Sequence, residues 1–578
     1  MLAFFRRRLR PITHRLLMTI WAGIAIGFVV AARHWLGAMR VIVQSALAFL
    51  SLGAVLILVY LVIDALRERG IRIEPLSVPR ELSEDGVTGE AVANQIITRL
   101  VELDRGSASV RPADRYSKDW AAGDIRFEFP ESGVAVGGLS HFLNYTFGRA
   151  TRVGGEVVHA NGEMRVVIRT DDDAVEAKGP DTDVLSVVDQ AAERFYAWRQ
   201  PYRYGRWLAK HGHIDSSNSV YRRMIESGSS TEQIWGRAGI AENAATAIEQ
   251  IDMEERLLEL DPGFLLARTR LAELEALVGH DDKALAAART ALEDKRRLLR
   301  DDTTPEGRSF LLARAASVLD SEVADFRGLQ RDAVEAEQYD KPARSYYELQ
   351  KALAFLHLHD LKSVEAIFET LPYMDPATIG GVQRSELLAL LAAEKGDWNQ
   401  ALMVSLWAAS STLPEGQKVF CRSHLMPLLA ESYARTGLIE SAESVLNNIP
   451  PDVYDAWRVR GKVARLQGNP GAAAEDFAEA IRQAPSNARA YKDWGDMLYS
   501  LGDLKGAILK YKKASQLAPN WADPVKGWAD ALAGQQDDIN AIAKYQQAAE
   551  LAPHWNAPRE ALEAQRRRTD LAMLIPGP

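Results

Sequence analysis

The spacing of apolar positions changes twice along the 578-residue chain and divides it into three parts. Two uncharged apolar runs, residues 16–32 and 41–63, stand near the N-terminus. Residues 71–200 then mix strand-like alternation with helical spacing, and from Pro201 onward helical spacing dominates. This order predicts a membrane anchor, a small α/β domain and a long helical region.

The apolar runs are long enough to cross a bilayer. The second has 23 residues, which as a helix extend ~35 Å at ~1.5 Å per residue, against a hydrocarbon core of ~30 Å. We predict an anchor over residues 1–70, with helices at about 16–36 and 41–66. Five arginines precede the first run, two separate the runs and three follow closely. This bias favours a helical hairpin with both ends cytoplasmic; if only the second run spans, the rest of the chain lies on the other side.

Residues 71–200 carry the signals of a small α/β domain. Strand patterns stand at 71–78 and 125–129, and helix patterns at 88–103, 137–148 and 183–198. Two β-rich runs within 154–170 flank Asn161-Gly162, the pair that best accepts the positive φ angles of a type I′ turn. The sequence therefore predicts a β-hairpin at this turn.

A period of 34 residues near the C-terminus predicts stacked helix–turn–helix units. Small, aromatic and proline positions recur in step over residues 454–487, 488–521 and 522–555. They are Gly461, Gly495 and Ala529; Ala473, Ala507 and Ala541; Phe477, Tyr511 and Tyr545; Ala480, Ala514 and Ala548; and Pro485, Pro519 and Pro553. Small residues let helices approach closely, the aromatic packs into the next unit, and the proline ends the second helix.

Weaker copies of this pattern extend upstream. Gly205, Gly212 and Tyr221 fit a first unit, whereas residues 300–350 are helical but difficult to phase. We therefore predict a mainly α fold. An α–α superhelix of eight or nine units would cover residues 201–565, preceded by the α/β domain and the anchor and followed by a tail at 566–578.

Composition and candidate chemistry favour binding over catalysis. The net charge of −9 argues against nucleic acid as a partner, and the single Cys421 excludes an internal disulfide. The His-x-His pairs at 211–213 and 357–359 have the wrong spacing for one helical face, so they are interpreted as turn or surface histidines. The glycines at 133–138 lack the Lys-Ser/Thr pair of a phosphate-binding loop. No catalytic, cofactor-binding or metal-binding residue is predicted, and no enzyme activity.

The pattern over residues 454–555 closely resembles that of tetratricopeptide repeats. Trp457, Gly468, Tyr491 and Gly502 also match, and the third unit departs from the pattern at Val525 and Ala529. The whole arrangement is similar to bacterial membrane-anchored tetratricopeptide repeat proteins of unassigned function, through the segments IEPLSVPRELSEDGVTGE, FPESGVAVGGLSHFL and GEVVHANGEMRVVIR. The α/β region is distantly similar to the amino-terminal domain of the Tol-system propeller protein. These resemblances imply a solenoid that acts as an interaction scaffold, and they supply no catalytic residues.

In repeats of this family, the first helix lines the concave face at its second, fifth, ninth and twelfth positions. With units starting at 454, 488 and 522, the basic and aromatic residues there are Arg458, Lys462, Arg465, Arg489, Lys492, Tyr499 and Lys526. Asp455, Asp496, Asp523 and Asp530 share this face. It would suit a peptide with acidic side chains or a free carboxylate. The alternative is that these are the solvated faces of amphipathic helices. Lys462 and Asp493 replace the asparagines of carboxylate clamps, which argues against clamp-type chaperone binding.

The sequence thus predicts a scaffold at the bacterial inner membrane that binds an unidentified protein or peptide on its concave face. The soluble part is predicted to be cytoplasmic, with a periplasmic location as the alternative, and homo-oligomerisation is left open. A second hypothesis places a small-ligand sensor in residues 71–200, which relays its state to a partner through the repeats.

Overall fold

A computed structural model describes residues 19–20, 22–24, 26, 70–84, 86–114, 116–118, 151–160, 162–171, 173–293, 303–340, 343–375, 377–413 and 415–574. Of the predicted anchor helices, only residues 19–20, 22–24 and 26 are among them, and these are helical. The predicted strand 125–129 and helix 137–148 lie outside the described residues. Within the described residues, no helix combines the length and the apolar composition that a membrane span requires.

The chain divides into two compact bodies. The α/β body is Met1–Glu102 with Asp114–Tyr196, and the helical body is Leu103–Ala113 with Ala197–Pro578. The α/β body thus ends at Tyr196, close to the predicted end of the α/β domain at residue 200. Leu103–Ala113 groups with the helices because Arg203 binds it, through the Asp104 carboxylate at 2.8 Å and the Arg111 carbonyl at 2.6 Å.

The α/β body contains a sheet of five described strands. They are β1 (Ile71–Ile73), β2 (Tyr116–Lys118), β3 (Thr151–Ala160), β4 (Glu163–Arg169) and β5 (Ala174–Pro180), in the order β2-β1-β3-β4-β5. β1 is parallel to β2 and β3, and β3, β4 and β5 form an antiparallel meander. The pairing of β3 with β4 confirms the predicted hairpin, and Gly162 takes a φ of 76° at its turn.

Three helices accompany the sheet: α1 (Arg80–Glu84), α2 (Gly89–Ser107) and α3 (Val184–Arg199). Apolar residues of α2 such as Ile96 and Leu100 are fully buried, as helical spacing on one face requires. Polar side chains join the two long helices: Gln95 donates to Asp189 at 2.7 Å, and Arg99 pairs with Glu193 at 3.1 Å. The helix patterns at 88–103 and 183–198 are confirmed.

The helical body consists of a long series of helices that pack in sequence order as antiparallel neighbours. They are α4 (Pro201–Lys210), α5 (Ile214–Ser227), α6 (Ser230–Glu242), α7 (Ala247–Leu260), α8 (Leu265–Val278), α9 (Asp281–Glu293), α10 (Pro305–Glu322), α11 (Phe326–Tyr339), α12 (Arg344–His357), α13 (Leu361–Thr370), α14 (Ile379–Glu394), α15 (Trp398–Ala409), α16 (Glu415–Phe420), α17 (Met426–Arg435), α18 (Ile439–Asn447), α19 (Tyr454–Leu466), α20 (Pro470–Gln483), α21 (Arg489–Ser500), α22 (Leu504–Leu517), α23 (Ala522–Gly534), α24 (Asp538–Leu551) and α25 (Asn556–Leu574). A π-helical turn, Cys421–Leu425, joins α16 to α17.

One turn geometry recurs between the two helices of a repeat. A residue with positive φ precedes an Asp or Asn that caps the second helix, as at Gly468-Asn469 and Gly502-Asp503. The same turn stands at Ala324-Asp325 and His359-Asp360, where φ is 53° and 57°. These two turns set the phase of the helix pairs that the sequence alone left undetermined around residues 300–350.

The residues that recur every 34 positions include an aromatic ring and the small residues against which it packs. In the last repeats, a Cβ on Gly461 would lie 2.7 Å from the Phe477 ring, and one on Gly495 would lie 2.8 Å from the Tyr511 ring. The next first helix meets the same Tyr511 ring at Gly527. Only glycine allows the helices to approach the ring this closely, so the small residues fix the spacing between helices.

The superhelix closes on itself. Hydrogen bonds join residues 172 to 223 positions apart, from His280 to Asp452 at 3.2 Å, from Asn487 to Asp281 at 2.9 Å, and from Arg327 to the Glu550 carbonyl at 2.7 Å. An apolar cluster also connects distant segments, with Phe326 and Leu329 packed alongside Ala514, Ala518 and Trp521. The inner face is therefore closed by the chain itself, and it differs from the open concave groove expected from the sequence.

Candidate functional site

The inner face of the helical body encloses a cavity of about 430 Å³. Its walls come mainly from the first helices of successive repeats, α8, α10, α12, α14, α17, α19, α21 and α23. The closure contacts bring these helices around one space, because the early and late repeats face each other across it.

The cavity wall is rich in ionisable side chains. Its nine carboxyl groups are Glu273, Asp281, Glu322, Glu386, Glu394, Glu431, Asp455, Asp493 and Asp523. Its four lysines and arginines are Arg458, Lys462, Arg489 and Lys492, and two histidines, His357 and His424, also line it. Such a density of buried charge is costly unless the groups are paired or protonated.

The cations cluster around Asp493. Arg458 binds its carboxylate at 2.7 Å, and the amino groups of Lys462 and Lys492 lie 3.5 and 3.7 Å away. Burial opposes ionisation of Asp493, but the attraction of Lys462, Arg458 and Lys492 holds the pKa of its carboxyl below the ordinary value. Glu431 gives Lys462 a second partner at 2.9 Å.

Two carboxyls on the opposite wall, Asp281 and Glu322, share a different environment. The Asn487 amide donates to Asp281 at 2.9 Å and to Glu322 at 3.3 Å. Burial raises the pKa of Glu322 to about 7 and raises that of Asp281 as well, and Glu322 repels the Asp281 charge. Arg489 is the nearby cation, and its guanidinium lies 3.9 Å from Asp281. Burial therefore disfavours the charged form of both carboxyls.

Glu386 stands apart from these networks. Among the described residues, no hydrogen bond or ion pair reaches its carboxyl group. Burial raises its pKa to about 8; the Asp455 charge adds to the rise, and Arg489 opposes it. A carboxyl with a raised pKa that faces a cavity is a feature of functional sites, although structural groups show it too.

The histidines at 357–359 have opposite environments. His357 stacks on Phe326 with ring centroids 4.2 Å apart, and burial lowers its pKa to about 3. His359 occupies a turn, as predicted, but its side chain is only 8% exposed and binds Glu394 at 2.8 Å and Asp523 at 3.3 Å. Burial opposes protonation of His359, yet these two carboxylates raise its pKa to about 9. Within the described residues, no group of three or more potential metal ligands is present.

The seven predicted partner-binding residues divide into two groups. Arg458, Lys462, Arg489 and Lys492 line the cavity, where each has a carboxylate of this chain within 4 Å. Arg465, Tyr499 and Lys526 do not line it. Tyr499 is 41% exposed, and Lys526 pairs with Asp530 at 2.7 Å.

Sequence reasoning missed Glu386, Asp281 and Glu322. Glu322 belongs to residues 300–350, which are difficult to phase, so its side chain could not be assigned to the inner face. Asp281 and Glu386 lie outside the three regular repeats at 454–555, to which the positional rule was applied. The available signal for Glu322 was Asp325, because an Asp at the N-cap marks the start of the next helix.

Comparison with protein-family models identifies tetratricopeptide repeats in part of the chain. A family model described as tetratricopeptide repeat matches residues 428–488 and 458–520. No curated protein matches the chain by sequence. Among solved structures, the APC/C hetero-tetramer Cut9-Hcn1 is 14% identical, with a TM-score of 0.34, over 66% of this chain and 76% of that one. MamA is 20% identical, with a TM-score of 0.21, over 31% of this chain and 96% of that one. Because both TM-scores are low, the assignment rests on the family model and on the repeat geometry.

Proposed function

We propose that the chain is a tetratricopeptide repeat scaffold that holds a protein partner next to a bacterial inner membrane. Repeats of this type present side chains of their first helices to partners, and the family model covers residues 428–520. The cavity is too small to hold a folded domain. We therefore place the partner on the first-helix residues outside it, Arg465, Tyr499 and Lys526.

The exposure of Tyr499 is the observation that carries this proposal. Its neighbours at the matching positions of the repeats are mostly engaged inside the cavity, whereas its ring is 41% exposed. Tyrosine and arginine are the side chains that most often dominate protein interfaces, because they combine apolar area with directional hydrogen bonding. The pair Lys526–Asp530 adds charge of both signs beside it.

Site-specific photo-crosslinking in cells tests the placement. A benzophenone amino acid would replace Tyr499 in the full chain, and a matched variant would carry it at Leu509, which is 68% exposed on the second helix of the same repeat. We expect a discrete cross-linked protein from position 499 that is absent from position 509. Equal or absent products at the two positions would contradict the proposal.

The membrane part of the proposal rests on the apolar runs 16–32 and 41–63, and its orientation on the arginine bias. We expect the full chain to stay in the membrane pellet after alkaline carbonate extraction. A fluorescent protein fused to the C-terminus should be bright, and an alkaline phosphatase fusion inactive, if the helical body is cytoplasmic. The reverse result would place it in the periplasm.

The cavity lies at residues 273–523, within the repeats. It therefore gives no support to a ligand sensor in the α/β body.

A further inference from the structure

We propose that the cavity on the inner face is a binding site for a small organic amine, whose protonated nitrogen is held by Glu386 and the Asp281–Glu322 pair. This goes beyond the scaffold function and does not depend on it, because the residues proposed to bind a protein partner lie outside the cavity.

Carboxyl groups outnumber lysines and arginines in the wall, and burial disfavours the charged form of Asp281, Glu322 and Glu386, for which a bound cation would be a counter-charge. Nine carboxyl groups face four lysines and arginines, an excess of five carboxyls (9 − 4). Cations behind the wall neutralise part of this excess. Arg314 binds Glu273 at 2.5 Å, and His359 binds both Glu394 and Asp523.

The wall cations are already occupied. Arg458, Lys462 and Lys492 surround Asp493, and Arg458 also binds Asp455 at 2.8 Å. Arg489 donates to the Ser321 carbonyl at 3.1 Å and stays close to Asp281. An anionic ligand would have to displace carboxylates that the protein itself supplies, which disfavours it.

The wall groups with the weakest compensation are three carboxyls, Glu386, Asp281 and Glu322. Glu386 has neither a hydrogen bond nor an ion pair among the described residues, and Asp281 and Glu322 are held by an amide and a distant guanidinium. Ammonium groups carry donors and a charge, which is what such carboxyls need for ionisation inside a protein.

The aromatic residues that line the cavity also favour a cationic ligand. Tyr346, Phe420 and Trp521 line the cavity, and the face of an aromatic ring attracts an organic cation.

The size favours a free small molecule over a polypeptide segment. Small-molecule sites usually have volumes of about 300–1,000 Å³, and this cavity, at about 430 Å³, is near the lower end. Helices from early and late repeats surround it, which leaves room for a compact ligand with one or a few amino groups.

Isothermal titration calorimetry on the purified full chain would test the proposal with four probes. Putrescine, spermidine and L-lysine carry the amine, and 1,4-butanediol is the neutral match for putrescine. We expect heat and a saturable isotherm with at least one amine and none with the diol. No binding by any of the three amines, or equal binding of the diol, would overturn the proposal.

Two variants localise the site. Glu386→Gln keeps the shape of the side chain and should weaken amine binding at least tenfold. Gln383→Lys places an internal ammonium one helical turn away in the same wall, and should abolish binding by occupying the carboxyl. Glu440→Gln, on the exposed surface of α18, removes the same charge and should change the affinity less than twofold.

The outcomes separate specific from diffuse binding. If Glu440→Gln weakened binding as much as Glu386→Gln, the attraction would come from the net charge, and the proposal would fail. If both cavity variants bound amines as well as the unaltered chain, with unchanged circular dichroism spectra, the site would lie elsewhere and the proposal would also fail.

Discussion

The first helices, residues 201–278, and the last repeats, residues 454–555, pack around aromatic rings in the same way. They differ in where their charged side chains lie. In the first region the Tyr221 ring lies between Gly205 and Gly239, as the Tyr511 ring lies between Gly495 and Gly527 in the last. The inner helices of the first region hide their charges in a closed cluster around Arg270, whereas those of the last region expose theirs to the cavity.

The contrast separates two kinds of information in a repeat sequence. The period of small and aromatic residues specifies how helices pack, and it works in degenerate and regular repeats alike. The polar residues on the inner helices are free to differ, because the packing does not depend on them. The repeat pattern therefore predicts how the helices pack. The chemistry of the inner face has to be determined from the structure.

The largest expected effect comes from breaking the closed cluster. Arg270→Met removes the cation that binds Glu242 at 2.7 Å and Glu254 at 3.4 Å, and the Glu254 side chain is fully buried. Removing one partner of a buried pair typically costs about 3–5 kcal/mol. Here Glu254 would lose its cation, whereas Glu242 would keep Arg206 at 3.2 Å. Urea unfolding followed by circular dichroism at pH 7 would measure this loss.

The matched change in the last region is Arg458→Met. Asp493 would keep Lys462 at 3.5 Å and Lys492 at 3.7 Å. Asp455 would lose its partner at 2.8 Å, but its side chain is 25% exposed and can be hydrated, so we expect a smaller loss than for the fully buried Glu254. If both variants lost the same unfolding free energy, the closed cluster and the open cavity would not differ in how much their ion pairs stabilise the chain.

The second prediction concerns the contact that joins the middle repeats to the last ones. His359→Gln removes the charged ring that binds Glu394 and Asp523. Because these carboxylates raise the pKa of His359 to about 9 from an ordinary 6.5, the stabilisation is full below pH 6.5 and is lost as the pH rises through 9. A shift of this size corresponds to roughly 3 kcal/mol.

Unfolding free energies at pH 6 and pH 10 test this sign. The loss caused by His359→Gln should be about 2 kcal/mol or more at pH 6 and should nearly vanish at pH 10. His554→Gln alters a histidine that is 65% exposed and should have little effect at either pH. A loss for His359→Gln that does not depend on pH would attribute its role to packing against Trp555 instead of charge.

Local patterns were sufficient to predict the hairpin and the regular repeats. Alternation around Gly162 specifies paired strands, and the period through Gly461 and Phe477 specifies paired helices, since both depend on residues near in sequence. The turn at Ala324 escaped prediction because glycine, the usual signal of positive φ, is absent there.

The cavity could not be predicted for a different reason. It exists because segments 172 to 223 residues apart meet, and such closure depends on how small rotations between helix pairs accumulate. Four of the seven predicted inner residues do come together in it. One of their carboxylate partners, Glu431, lies before the three regular repeats, and the sequence alone does not show that it faces Lys462.

The third prediction compares the two ring contacts directly. Gly205→Ala would place a methyl group against the Tyr221 ring, and Gly495→Ala would place one 2.8 Å from the Tyr511 ring. Overpacking of this kind costs about 1–3 kcal/mol, and we expect the tighter Gly205 site to lose more. Gly471→Ala is the control, because its methyl would meet only the Asn469 side chain at 3.7 Å. If Gly205→Ala changed the melting temperature as little as the control, the Tyr221 ring would not be tightly packed against Gly205, and the two ring contacts would not be equivalent.

The smallest expected effect comes from a single backbone angle, the φ of Gln536. Gln536 takes a φ of 63° at the turn where Gly468 and Gly502 stand in the two preceding repeats. A non-glycine residue in this conformation is strained, so Gln536→Gly should stabilise the chain by about 0.5–1 kcal/mol, and Gly502→Ala should destabilise it by about as much. Differential scanning calorimetry would detect the pair as shifts of opposite sign in the melting temperature. Shifts of the same sign would show that the turns of the third and second repeats are not equivalent, and that the 34-residue period does not extend to their backbone conformation.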